Sequence, residues 1–446
     1  MVTNPLARAN GRRLNVLSKI ASTCGFILFG YDNALFSGLI ISPWFLDKLQ
    51  HPDPSLLGTI SATYNLGGFA GGVIAFCVGS RPGRRSTILT GIAITTIGAI
   101  PFTAATSIAQ LAAGRTVCGV GVGIMSSTVG LWQAETTPAA KRGAFLVGQL
   151  LYGATPGLFL AQWINHGFYA HTGRVAFAFP VAFQLVFLAV ATVLVVGLPE
   201  SPRWLVKQIV EVDDLEKRAK GGWVQALLKN GHTENFRRLC LAIGVMIAHQ
   251  LTGVNSITYY LPRLLQRFIG ASRQEVLWIA GLSSVDSATA TLVAISTVDR
   301  IGRKPFMLWL GQSWAYPAEF LPLQIGEKGL ALGNCFYWLF QFMMVETTPI
   351  AIENIYHKFY VILAVFNICI AIVIRLAYPE TALLSLEDID LFFVEKYRRD
   401  GVDAVAVAVA GNAGGRDNLR RKVSEIASPA FRNIPNSNKT RHSTYM

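Results

Sequence analysis

Windows of roughly 18 or more apolar residues recur along most of the chain, and no other feature restricts the possible folds as much. In hydrocarbon every backbone N–H and C=O must be paired within the protein, so repeated long apolar windows predict spanning helices. They fall at 18–41, 57–79, 87–106, 108–132, 144–166, 176–198, 239–262, 276–298, 329–352 and 358–378. An eleventh apolar run, 306–311, is too short, because about 20 residues are needed to cross ~30 Å of hydrocarbon. Only 15% of residues are charged, against about 25% in a soluble domain. The expected class is an all-α membrane protein.

The formal net charge of +13 would suit a nucleic-acid partner if it were clustered on a soluble face. It is instead divided by topology. With the N-terminus in the cytoplasm, 31 of the 39 Lys and Arg fall in cytoplasmic segments. This positive-inside bias predicts both termini in the cytoplasm, the bilayer as the partner and no nucleic acid. The first residues are polar and basic, unlike a cleavable signal peptide. All six cysteines lie in or beside spans without metal-ligand spacing, which predicts packing roles and no metal. The sequon `NKT` (438–440) falls on the cytoplasmic side, where it would go unused.

These patterns predict a cytoplasmic tail over 1–17, a six-helix bundle over 18–198 and a cytoplasmic helical linker over 199–238. A second bundle follows at 239–380, then a cytoplasmic tail at 381–446, largely disordered after about 400. The halves carry matching turns in the same order. `RPGRR` (81–85) follows the second span and `DRIGRK` (299–304) the eighth; `ETTPAAKRG` (135–143) is echoed by `EFLPLQIGEKG` (319–329). Such order implies parallel repeats about an axis along the membrane normal. Two spans separate these turns in the first half, but only residues 305–313 and the start of an aromatic segment do so in the second. The expectation is six spans plus about four, with two helices missing between Pro305 and Trp314.

`PESPRWL` (199–205), `HQLTGVNSITYY` (249–260), `DRIGRK` and `PETALLSLEDID` (379–390), with `GYD` (31–33), resemble the sugar porter family of the major facilitator superfamily over residues 18–395. The wording is most similar to fungal hexose transporters. The resemblance implies the major facilitator fold, a central sugar site between two helix bundles, and alternating access.

Asp32 and Arg115 are charges inside the first and fourth spans. On antiparallel helices they lie ~21 Å from the inner end and ~10 Å from the outer end, similar depths in a ~36 Å helix. An ion pair is therefore expected, either as a proton switch or as a fixed structural pair. The resemblance favours the switch, since proton-coupled sugar porters carry Asp and Arg at these positions. Gln250, Asn255 and Tyr259 share one span, where polar groups serve either helix–helix bonding or sugar hydroxyls. The family motif implies sugar contact, with His249 standing where the family has a first Gln. It further implies sugar contacts for Gln149, for Ser287 where Asn is usual, and for Trp314 by stacking. Asp286 is expected to be buried, and Glu346 to face the cavity. No role is assigned to Arg375.

The resemblance also implies a cytoplasmic latch from Arg84, Arg85, Glu135, Arg142, Glu200, Arg203, Asp299, Arg303 and Glu319. Such pairs break and re-form as the bundles rock. The chain departs from the pattern at `GSRPGRR`, which lacks an Asp, and at Gly326 and Leu383, where the family has Arg and Gly.

The sequence thus predicts a plasma-membrane carrier for a monosaccharide, working as a monomeric proton symporter without a cofactor. It is not expected to be an enzyme: no phosphate loop, metal cluster or nucleophile–base set is present. The alternative is a non-transporting relative, sugar-responsive or disabled by the lost helices, because a carrier's site needs the walls of both halves.

Overall fold

The computed structural model describes residues 11–78, 83–136, 153–200 save 169 and 172, 234–301 and 325–379, with isolated positions at 304, 307, 317, 321 and 393. Side chains are not described at 11–15, 134–136 and 294–301. The described elements are helices. They are α1 (Gly11–Leu39), α2 (Pro43–Lys48), α3 (Pro54–Val78), α4 (Arg84–Thr103), α5 (Ile108–Thr136), α6 (Thr155–Gly167) and α7 (Val175–Gly197) in the first half. The second half has α8 (Asn235–Leu251), α9 (Val254–Ile269), α10 (Arg273–Ile301), α11 (Gly326–Ile355) and α12 (Lys358–Ala377). The compact unit holding these helices is Met1–Ile389; in Asp390–Met446 only Phe393 is described.

Helix starts follow local chemistry. Pro43 and Pro54 open α2 and α3, where a missing N–H costs nothing. The Asp53 side chain accepts the Leu56 N–H at 3.2 Å. Ser272 and Glu275 form a reciprocal capping box at α10, the Ser272 N–H donating to Glu275 at 2.8 Å.

Two features differ from the sequence expectation. The span at 239–262 is two helices, α8 and α9, because Gly253 takes φ 83°, a left-handed conformation that suits glycine and ends α8. The helix α10 also runs on through Asp299 to Ile301, into the basic turn. The linker at 201–233 and the junction at 308–316 lie outside the described residues.

In the first half α5 lies between α3 and α4, while α1 packs on α6 and α7. Glycines allow the close crossing of α3 and α5. A Cβ at Gly67 or Gly71 would run into the Thr116 or Val120 carbonyl, and one at Gly119 into that of Tyr64. The halves meet along α3–α11 and α6–α10, with α9 against α1.

Candidate functional site

The site grows from three consecutive residues of α1. Each successive residue turns about 100° around a helix, so Tyr31, Asp32 and Asn33 face different neighbours. The Tyr31 hydroxyl donates to the Pro180 carbonyl of α7 at 2.6 Å. Asp32 faces α3, where its Oδ2 accepts from the Tyr64 hydroxyl at 3.4 Å. Asn33 faces the second half: its Oδ1 accepts from the Tyr259 hydroxyl of α9 and from Gln341 Nε2 of α11, each at 2.8 Å.

No ion pair joins Asp32 to Arg115, contrary to the expectation from their depths. Arg115 Nη2 donates to the Ser61 carbonyl at 3.0 Å, and the guanidinium lies 3.9 Å from the centre of the Phe36 ring. It is 5.5 Å from the Tyr64 ring and 5.6 Å from that of Phe102. Aromatic faces attract the cation, while the Tyr64 hydroxyl takes the place beside Asp32 that the arginine would fill. Both charged residues are buried.

Among the residues that the sequence marks for substrate, Gln250 and Asn255 meet across the break at Gly253, Asn255 Nδ2 donating to Gln250 Oε1. Tyr259 stands one turn beyond Asn255, with Asn65 Oδ1 at 3.5 Å as a second acceptor. His249 stacks on Tyr337, ring centres 5.8 Å apart and 18° from parallel. Ser287 donates to the Ser283 carbonyl of its own helix at 3.0 Å and has no hydrogen bond to this cluster. Asp286 is exposed rather than buried, on the same side of α10 as Ser283. Gln149 and Trp314 lie outside the described residues.

At the basic end, Glu200 accepts the backbone N–H groups of Arg84 at 2.8 Å and Arg85 at 3.1 Å, and so caps α4. The Arg85 side chain donates to the Val195 and Val196 carbonyls at 3.1 and 2.6 Å, closing the end of α7. Arg84 pairs across the halves with Glu327 of α11 at 3.4 Å. The sequence reading offered Glu319 as the second-half acid. Arg142, Arg203, Arg303 and Glu319, and the side chains of Glu135 and Asp299, lie outside the described residues.

Sequence reasoning missed Asn33, Tyr64, Asn65 and Gln341, all buried in this cluster. It also missed Asn334, which donates to Ser127 at 2.7 Å across α11–α5. Glu346, expected in the cavity, accepts from Thr59 of α3 at 2.7 Å. Asn33 and Gln341 carried a usable signal: an amide inside an apolar span needs a partner.

Known proteins share this architecture. The family model described as "Sugar (and other) transporter" matches residues 17–313 and 307–393. The MFS-type transporter oryC of Aspergillus oryzae is 30% identical over 84% of this chain and 84% of its own. The sugar transporter STL1 of Saccharomyces cerevisiae is 29% identical over 89% of this chain and 84% of its own. These alignments run to 454 and 484 positions. Both exceed the 446 residues of the chain, so both include positions where it has no residue. A structure of the proton:xylose symporter XylE bound to 6-bromo-6-deoxy-D-glucose superposes with a TM-score of 0.65 at 23% identity, over 86% of this chain and all of XylE. The chain is a multi-pass integral membrane protein with the major facilitator fold, and it belongs to the sugar transporter family.

Proposed function

We propose that the chain carries a monosaccharide or related polyol by alternating access, coupled to protons. The observation that carries this reading is a set of buried polar atoms with no hydrogen-bond partner within the protein in the central cluster: Asp32 Oδ1, Asn65 Nδ2, Arg115 Nε and Gln341 Oε1, with Gln250 Nε2 beside the break in the seventh span. A buried neutral polar atom left unpaired costs about 1–3 kcal/mol and a charged one more, so each calls for a water or a ligand group. A polyol hydroxyl both donates and accepts, and so suits a mixed set of donors and acceptors. The names of the Saccharomyces relative and of XylE support the same substrate class and the proton.

In this reading Asp32 takes a proton from the outer side. A neutral carboxyl no longer attracts Arg115, and the Tyr64 bond is free to rearrange, so α1 shifts against α3 and α5. At the other end the Arg84–Glu327 pair opens in turn. The basic end lies in the cytoplasm with both termini, and the membrane is the plasma membrane.

The test is radiolabelled hexose uptake in transport-deficient cells across external pH. Uptake should rise as the pH falls, and Asp32→Asn should lose both the rise and accumulation against a gradient. Wild-type uptake with no pH response would leave a uniporter.

A second reading is favoured by one observation: α10 and α12 turn wide faces outward, including Asp286 and Val361, Val365 and Ile372. We infer that two helices are missing between Pro305 and Trp314. The two segments of the family match meet at 307–313, and the alignments longer than the chain support the same shortening. A half-walled site would make this a non-transporting relative. Protein that reaches the membrane yet moves no hexose, pentose or polyol would favour that outcome.

A further inference from the structure

We propose that Asn33 is a positioning residue that holds the two bundles together by engaging the Tyr259 and Gln341 donors that a bound polyol would take. This rests on the transport reading above.

The geometry is specific to that task. An amide oxygen has two lone pairs, and Asn33 Oδ1 uses both on the second half, one on α9 and one on α11. One Nδ2 hydrogen is held within α1, donated to the Phe29 carbonyl at 2.9 Å. One buried atom of the first bundle therefore binds two helices of the second. The Tyr259 hydroxyl has a single proton and a second acceptor within reach, Asn65 Oδ1 at 3.5 Å. Gln341 Oε1 and Asn65 Nδ2 have no partner. The knot is thus flanked by one acceptor and one donor with no partner within the protein.

A polyol hydroxyl entering here would satisfy those two atoms and compete for the donors that Asn33 holds. The loaded carrier would then be closed through the sugar, and the empty carrier through Asn33. A symporter must close empty once in every net cycle. Sugar-for-sugar exchange never requires that step. Removing the Asn33 oxygen should therefore impair the empty return and spare the loaded crossing.

The first measurement needs no sugar. Hydrogen–deuterium exchange of the full-length protein in lipid nanodiscs would compare wild type with Asn33→Ala. Faster exchange is expected around Asn33 in α1, Tyr259 in α9 and Gln341 in α11, with the α3–α5 seam unchanged. Wild-type exchange at all three places would overturn the proposal. So would equal loosening of α3 and α5, which would mark Asn33 as a general support of the fold.

The second measurement uses proteoliposomes and radiolabelled hexose. Net proton-driven uptake in Asn33→Ala should fall on the order of tenfold, the worth of a buried hydrogen bond. Equilibrium exchange should stay near wild type. Equal losses in both modes would overturn the proposal. If the wild type moves no sugar in either mode, the transport reading fails, and the deuterium measurement alone decides whether Asn33 ties the bundles.

Discussion

The two halves of the molecule are packed by different means. In the first, α3 and α5 bury 50% and 56% of an 18-residue apolar stretch, and glycines let backbone meet backbone. In the second, α10 and α12 bury 28% and 17%. Several glycines there meet side chains: Gly253 meets Leu363, Gly281 meets Trp163 and Gly329 meets Leu321. The helix α11 packs more extensively on α3, across the boundary, than on α8 or α12 of its own half. The second bundle thus leans on the first. The first half is held by backbone-to-backbone crossings of its own helices, while the second takes much of its support from the seam with the first.

The largest effect should come from breaking the first half. Gly119→Leu would drive a side chain into the Tyr64 carbonyl and cost about 3 kcal/mol or more. Thermal unfolding in detergent should show a large fall in Tm. The matching change on the bare face, Asp286→Leu, removes a charge from a span and should leave stability unchanged or raise it by up to about 2 kcal/mol. A loss equal to that of Gly119→Leu would mean that the Asp286 face is covered.

Next in size is the seam. Asn334→Leu removes the donor to Ser126 and Ser127 and should cost about 1–2 kcal/mol. Because α11 leans on the first half, here on α5, the loss should also loosen α8 and α12, readable as faster deuterium exchange there but not in α4. The smallest effect is expected from Glu327→Gln. It ends the Arg84 ion pair at the basic end, where Glu327 is partly exposed. A cost of about 1 kcal/mol or less is expected, seen as a modest rise in labelling of a cysteine introduced at that mouth.

Much of the fold was legible because the bilayer demands long apolar helices, and among the described residues a helix falls within each of the ten predicted spans. The break at Gly253 was not, since hydropathy averages over a φ angle. Gln250, Asn255, Tyr259 and Asp32 were legible as polar residues inside spans, and they do lie in or beside the buried cluster. Helical depth placed Asp32 and Arg115 at similar levels but could not show that Tyr64 and Phe36 would engage them instead. Asn33 escaped notice beside the more conspicuous charge of Asp32. Ser287 was assigned through a family position, and its side chain bonds back to its own helix.

The left-handed joint at Gly253 gives the seventh span a pivot. The helix α9 has 16 residues beyond it, about 24 Å of lever at 1.5 Å per residue. A tilt of about 10° there would sweep the Ile269 end through about 4 Å, enough to part Arg267 from Glu353 at 2.6 Å. The same tilt would move Tyr259 by under ~2 Å and Asn255 by ~0.5 Å. A single glycine thus works as a gearbox, turning a small adjustment where the polar side chains sit into a wide swing at the far end.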